Sequence, residues 1–357
     1  MLYFFMFILM LFHGVSFGCD LKQVDNIVVL RHPSATHVLD NKMNALNSTE
    51  NSRSMGFEIY ESHITLGGVT KELKKTAEDL KKIGISASNS CIVSSENIRA
   101  LETAVVLYDY LSEKNTFGEW ELPLSGDEKL SIEQEAILRK MIAQNSSNMR
   151  EDNRLREGFF GFFEGKSYKE LNDASNKIIT AIDESPKDVF TVSYQLGSRP
   201  EKSKYEKEPE AQGPVYQLVL DLSSPIISEA QSDMQASLRI SFQAKSLREA
   251  QEKLMRGQRV KLSSALGAES KPDIFLRVLD FLKNQNELKA KIADCCEKFG
   301  NTKFNIILST HATIGAQLIS FLFHEHDNYP GENYKMESAE AFIIPMTPKL
   351  VERLEQK

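Results

Sequence analysis

Two short runs constrain the fold more than any other feature: residues 26–30 (N-I-V-V-L) and residues 305–308 (N-I-I-L). Past the leading Asn neither alternates, so neither can lie half-exposed on one face of a sheet. A short run apolar on both sides reads as a strand buried between two layers of helices, the usual setting of a parallel sheet. Each run ends on a histidine, Arg31-His32-Pro33 after the first and Ser309-Thr310-His311 after the second. Residues 91–93 and 341–344 supply two further short strands. Between them lie helical periodicities. Leu73, Ala77 and Leu80 mark a helix over about 71–83, closed by Gly84. Ser95 reads as the N-cap of a helix carrying Ile98, Leu101, Val105, Tyr108 and Leu111. Ser270 and Asp273 have the spacing of a capping box ahead of Phe275, Val278, Leu279 and Leu282. Ile314, Leu318, Phe321 and Leu322 share one face of a helix after His311. Strands alternating with helices predict an α/β fold, a three-layer α/β/α sandwich with a mostly parallel central sheet.

Two stretches break this rhythm. Residues 33–62 are polar, rich in Asn and Ser, and read as a long loop. Residues 185–262 begin with no clear alternation and carry a charge-dense loop with two prolines at 199–209. Strands are expected at 215–222 and 237–242, and a helix from Ser246 to about residue 256. This is an inserted α+β lid or subdomain, or else a surface excursion with no part in chemistry.

Composition narrows the partners. Hydrophobic residues make up 41% of the 357 and charged residues 26%, which supports an ordinary core of one or two domains. With 43 basic and 50 acidic side chains the net charge is −7, so no nucleic acid is expected as a partner. Cys19, Cys91, Cys295 and Cys296 are too few and too unevenly placed for a disulfide scaffold, and they form no C-x-x-C zinc pair. The adjacent Cys295 and Cys296 read as ordinary helix packing. His324-Glu325-His326-Asp327 lacks the i, i+4 spacing of a helical metal site and reads as a solvated loop. Residues 2–12 are unbroken apolar and are followed by the small residues Ser16 and Gly18. That predicts a signal peptide over 1–18, a mature chain over 19–357 that is secreted or periplasmic, and no membrane span after processing; an uncleaved anchor is the alternative. Asn47-Ser48-Thr49 and Asn145-Ser146-Ser147 are glycosylation sequons, meaningful only in a eukaryotic secretory route. Nothing in the pattern indicates an oligomeric state.

In an open parallel sheet, ligands bind beyond the carboxyl ends of the strands, which is where His32 and His311 stand. Arg31 precedes the first histidine. Arg99 lies in the first turns of a helix, whose N-terminus attracts anions. Guanidinium groups grip phosphoryl oxygens in pairs, so the four residues together suggest an anion site.

These residues carry a resemblance. Val29-Leu30-Arg31-His32-Pro33 resembles the R-H-G opening of the histidine phosphatase superfamily, the phosphoglycerate mutase-like clan. Residues 64–68 (I-T-L-G-G) look like its L-T-x-x-G segment. Residues 94–104 (S-S-E-N-I-R-A-L-E-T-A) are similar to its S-S-x-x-x-R-A-x-x-T-A run. Leu155-Arg156-Glu157, Phe160-Gly161 and Glu164-Gly165 resemble L-x-E…F-G-x-x-E-G. Glu269-Ser270, Asp273 and Arg277 follow G-E-S-x-x-D-x-x-x-R, with Ala268 in the glycine position. Ser309-Thr310-His311-Ala312 stands where S-H-G is usual. The six motifs occur in the family's order and cover 26–184 and 267–344.

The resemblance implies that His32 is a nucleophile forming a phosphohistidine. Arg31, Arg99 and His311 would surround the phosphate, and Glu157 would be the general acid, with Glu164 as the rival for that role. It implies no cofactor and no metal, and a substrate that is a phosphorylated small molecule or phosphoprotein. Pro33 and Ala312 depart from the family pattern. Ala35, where the acid-phosphatase branch has a second arginine, and Ala312 after His311 set the chain with the mutase-like branch rather than the acid phosphatases. The family's polar residues shortly after R-H-G have no clean counterpart, His37 and Asn41 being the candidates. The expected activity is that of a phosphomonoesterase. A phosphomutase using the same residues, or a catalytically degenerate binding protein, are the alternatives.

Overall fold

A computed structural model describes residues 21–42, 61–114, 116–120, 128–145, 149–158, 190–195, 215–220, 238–243, 271–283, 302–323 and 335–355, together with positions 160, 165, 167, 169, 269, 295 and 299. In chain order the strands are β1 (Val24–Arg31), β2 (Ser90–Ser94), β3 (Met149–Glu151), β4 (Phe190–Gln195), β5 (Val215–Leu220), β6 (Leu238–Gln243), β7 (Phe304–Thr310) and β8 (Ala341–Pro345). The helices are α1 (Lys74–Lys82), α2 (Ile98–Leu111), α3 (Ile132–Asn145), α4 (Lys271–Lys283), α5 (Ala312–Phe323) and α6 (Pro348–Glu355). A π-helical segment, Gly68–Leu73, leads into α1.

The main sheet has the order β3-β2-β7-β1-β8. β3, β2, β7 and β1 are mutually parallel, and β8 closes the edge antiparallel to β1. The alternation of side chains along the strands divides the core in two. Val28, Leu30, Ile92 and Ile307 face the π-helical segment, α1 and α2. Ile27, Val29, Cys91, Val93, Ile306 and Leu308 face α4, α5 and α6. Both faces of the central strands are thus sealed, which is why their sequences run apolar without alternating. The chain has the expected α/β architecture, three layers with a mostly parallel sheet.

Within 185–262 the strands β4, β5 and β6 form a separate antiparallel sheet in that order. This agrees with the sequence reading of a stretch with its own β-structure; the expected helix after Ser246 lies outside the described residues. So do residues 1–20, Asn47, Glu164, Ser270 and the 324–327 cluster. No described helix is long and apolar enough to cross a membrane.

Three expectations are corrected. Ser95 does not cap α2. The helix begins at Ile98 with Asn97 in the N-cap position, and the Ser95 hydroxyl is taken up by other partners described below. The helix expected from about residue 71 begins five residues earlier, at Leu66, and runs through a π-helical segment from Gly68. A Cβ at Gly68 would lie 3.0 Å from the Pro33 ring and 3.0 Å from the Ser34 carbonyl, so glycine is what lets this turn press against the loop after β1. Finally, Cys295 is not simple helix packing: it forms a disulfide with Cys91 across a sequence separation of 204 residues. Spacing could not reveal a bond between a strand of the first half and a residue so distant in the second.

That disulfide ties β2 to the layer of α4 and α5. Cross-links that close long loops restrict the unfolded chain most, and removing a native one typically costs about 2–5 kcal/mol. Cys295→Ser should lower the free energy of urea unfolding by about that much, and reductant should destabilise the wild type more than the variant.

Candidate active site

The parallel pairing of β1 with β7 is in register up to the strand ends, with Leu30 opposite Ser309 and Arg31 opposite Thr310. The ladder continues one step further, the His32 N–H donating to the Thr310 carbonyl at 3.0 Å. His32 and His311 therefore emerge side by side, their ring centroids 5.2 Å apart and inclined at 64°. β2 ends against the same point, where the Ser95 N–H donates to the Ser309 carbonyl at 2.9 Å. Its continuation delivers Arg99, whose Nε donates to His32 Nε2 at 3.3 Å. His32, Arg99 and His311 are all buried.

The hydrogen bonds assign both rings. His32 Nδ1 lies 2.7 Å from the Pro33 carbonyl oxygen. A carbonyl only accepts, so Nδ1 carries the proton and Nε2 keeps its lone pair, directed toward Arg99. The Ser95 hydroxyl donates to Asn97 Oδ1 and accepts from the Asn97 N–H, so toward His311 Nε2, 2.9 Å away, it acts as acceptor. His311 is then protonated at Nε2, and its buried Nδ1 has no hydrogen-bond partner among the described residues. Arg31 donates from Nη1 to the Met336 carbonyl at 2.6 Å, while its buried Nε likewise has none. Buried polar atoms without partners are uncommon, and two in the neighbourhood of His32 are suited to receive donor or acceptor atoms of a ligand.

Electrostatics keep the rings neutral. Burial, reinforced by the charge of Arg99, lowers the pKa of both His32 and His311 well below 6.5. His37, carried by the helical turn Thr36–Leu39, joins the cluster with its ring 5.8 Å from that of His32. Burial and the charges of Arg99 and Arg31 pull its pKa down to about 3. Its Nδ1 is held by the Ser62 hydroxyl at 2.7 Å. Asn41, the other candidate, is an exposed residue with φ of 53° in the turn beyond.

Glu157 is placed by a second network. The Arg277 guanidinium grips both oxygens of Glu269 at 2.7 Å and donates through Nη1 to the carbonyls of Arg154 and Arg156. Thr310 of β7 donates to the Leu155 carbonyl at 2.8 Å. The segment bearing Glu157 is thereby fastened to the strand that delivers His311. The Glu157 carboxylate is half-buried, and its Oε1 accepts the Gly158 N–H at 2.8 Å rather than any group of the histidine cluster.

Sequence reasoning missed one more buried pair. His63 Nδ1 lies 2.6 Å from Glu102 Oε1, and the second Glu102 oxygen accepts the Ile64 N–H at 2.9 Å. The backbone of His63 exchanges hydrogen bonds with Thr36, so the pair anchors the turn that presents His37. A glutamate inside the apolar run 100–107, three residues after Arg99, was the available signal. Burial works against a charge on His63, but the bond to Glu102 and the charges of Glu102, Glu135 and Glu61 outweigh it and raise its pKa.

No protein-family model and no curated protein matches the chain. Among solved structures it is similar to a mycobacterial glucosyl-3-phosphoglycerate phosphatase, 14% identical over 90% of this chain and 89% of that one, with a TM-score of 0.39. It is also similar to an α-ribazole phosphatase from Shigella flexneri, 11% identical over 91% and 92%, with a TM-score of 0.44. YhfR of Bacillus stearothermophilus is 13% identical over 91% and 92%, with a TM-score of 0.40. At such identities and scores no residue's role carries over.

A depressed histidine pKa means that the native chain binds fewer protons than the unfolded one below about pH 6.5. The stability due to neutral His32, His37 and His311 is therefore present above that pH and lost as pH falls toward the folded values. His63, with a raised pKa, contributes in the opposite sense, fully below pH 6.5 and progressively less as pH rises through its folded value. Urea unfolding between about pH 4 and 6 should show stability falling with acid. His311→Asn should make that slope shallower by about 1.4 kcal/mol per pH unit, one proton's worth. His32, Arg99 and His311, drawn from three of the motifs that carry the resemblance, meet where β1, β2 and β7 end.

Proposed function

We propose that the protein is a phosphomonoesterase that works through a phosphohistidine on His32, in the manner of the superfamily it resembles. The observation that carries this reading is the neutral His32 ring, its Nε2 lone pair directed at Arg99 with the unpartnered His311 Nδ1 and Arg31 Nε close by. In the first half-reaction Nε2 attacks phosphorus and the ester P–O bond breaks, while Glu157 gives its proton to the departing oxygen. In the second, water attacks phosphorus, Glu157 takes the water's proton, the P–N bond breaks and inorganic phosphate leaves. Ring and acid return to their starting states. Glu157 Oε1 is engaged by the Gly158 N–H, which leaves Oε2 to face the leaving oxygen.

Arg99 and Arg31 supply the positive charge for the phosphoryl oxygens, and in phosphoryl transfer positioning and such charge are most of the catalysis. His311 holds a lone pair at Nδ1 in the resting state. To donate to a phosphoryl oxygen it takes up a second proton, which the charge of a bound phosphate dianion favours. Two further elements belong to the proposal. The substrate is a phosphorylated small molecule or phosphoprotein. The chain is secreted or periplasmic after loss of residues 1–18, a reading supported by the apolar run at 2–12 and by the Cys91–Cys295 disulfide, a bond typical of oxidising compartments.

Brief mixing with labelled substrate and an alkaline quench should trap acid-labile phosphate on His32, and His32→Ala should abolish turnover on every substrate. Glu157→Gln separates the acid from the nucleophile. General-acid catalysis is worth about 10²–10⁴-fold where the leaving group is strongly basic. The variant should lose that factor on alkyl phosphates and far less on p-nitrophenyl phosphate, whose leaving group departs unaided. Label on serine or aspartate would overturn the mechanism, and equal losses on both substrates would remove Glu157 from it.

A further inference from the structure

The loop after the nucleophile begins with Pro33, which has no N–H and cannot offer the backbone donor a glycine would supply there. What the structure builds instead runs through the next peptide. His32 Nδ1–H donates to the Pro33 carbonyl at 2.7 Å. On the other side of the same planar unit, the Ser34 N–H donates to Glu72 Oε2 at 3.1 Å. Glu72 belongs to the π-helical segment that Gly68 allows against Pro33. Its carboxylate also accepts from the Ser34 hydroxyl at 2.6 Å and from the Ser338 hydroxyl at 2.7 Å. The loop that carries Ser338 is itself tied to the site: the Ala339 N–H donates to the His32 carbonyl at 3.3 Å and Thr76 donates to the Ala339 carbonyl at 2.7 Å.

We propose that Glu72 is a positioning residue for His32, acting through the Pro33–Ser34 peptide to fix the nucleophile's tautomer. A peptide whose N–H is bound to a carboxylate is polarised, so its carbonyl oxygen becomes a better acceptor. That carbonyl holds the proton on Nδ1 and so keeps the lone pair on Nε2, where Arg99 points. The logic is that of a carboxylate orienting a histidine, with one peptide unit interposed between them. Carboxylates that orient metal-ligating histidines directly are worth about 10–100-fold in activity, which bounds what this longer connection contributes. Three hydroxyl and amide donors converge on a carboxylate that does not touch the reacting atoms, an arrangement suited to orientation rather than to proton transfer.

The rate arm of the test rests on the phosphatase reading, but the spectroscopic arm does not. Nitrogen NMR of the resting protein at neutral pH, with the His32 ring assigned by comparison with His32→Ala, should show the Nδ1–H tautomer alone. Glu72→Gln preserves size and removes charge. It should populate the Nε2–H form and slow phosphorylation of His32 by up to about 10–100-fold. Ser34→Ala removes the 2.6 Å hydroxyl bond but leaves the peptide connection, and should keep the wild-type tautomer. Glu72→Asp, which keeps the charge but withdraws it by one methylene, should move the tautomer in the same direction as Gln and serves if Gln at 72 does not fold. A wild-type ring not in the Nδ1–H form, or a tautomer unmoved in the folded Glu72 variants, overturns the proposal even where the rate falls. A tautomer that shifts in a protein that never hydrolyses phosphate leaves the relay standing and sinks the phosphatase reading instead.

Discussion

The in-register parallel pairing of β1 with β7 is the constraint on which the site depends. Both strands are buried on both faces, so their register is held by packing from two layers as well as by the backbone ladder. A slip of one residue would turn each apolar set to the wrong layer. It would also move His32 away from His311 and break the bond between the His32 N–H and the Thr310 carbonyl. The geometry of the site is thus secured by the core beneath it as well as by the contacts around it.

That arrangement concentrates groups that would repel one another if charged. The buried rings of His32 and His311, the half-buried ring of His37 and the buried Arg99 guanidinium share one cluster, and the rings remain neutral because burial and the neighbouring guanidiniums oppose their protonation. Neutrality leaves His32 Nε2 with a lone pair. Three of the described carboxylates have separate bracing duties. Glu269 binds Arg277, Glu102 binds His63, and Glu72 binds the loop at Ser34 and Ser338, so each braces an element that delivers a histidine or Glu157.

Much of the architecture was legible along the chain. The unbroken apolar runs 26–30 and 305–308 required a sheet covered on both sides, and the periodicities of residues 98–111 and 271–283 required helices to cover it. Local chemistry was less legible where a polar side chain had two possible uses. Ser95 has the right spacing for an N-cap, yet its hydroxyl bonds to Asn97 and His311 because β2 brings it against the end of β7. Gly68 stands in the sequence as part of a motif, and its role in admitting a π-helical turn against Pro33 depends on a loop 35 residues earlier.

The sequence by itself determined that the chain would form an α/β sandwich, and that His32 and His311 would leave their strands at the ends where such folds bind ligands. It did so because burial on two faces and helical amphipathicity are local patterns, readable within a dozen residues. Only the tertiary structure decided that those two strands are neighbours, that Cys91 meets Cys295, that His37 joins the cluster and that Glu72 reaches Ser34. Each of these is a contact between segments whose separation along the chain carries no information about distance. They follow from how the two helical layers pack on the sheet, a choice made by shape and buried area over the whole core.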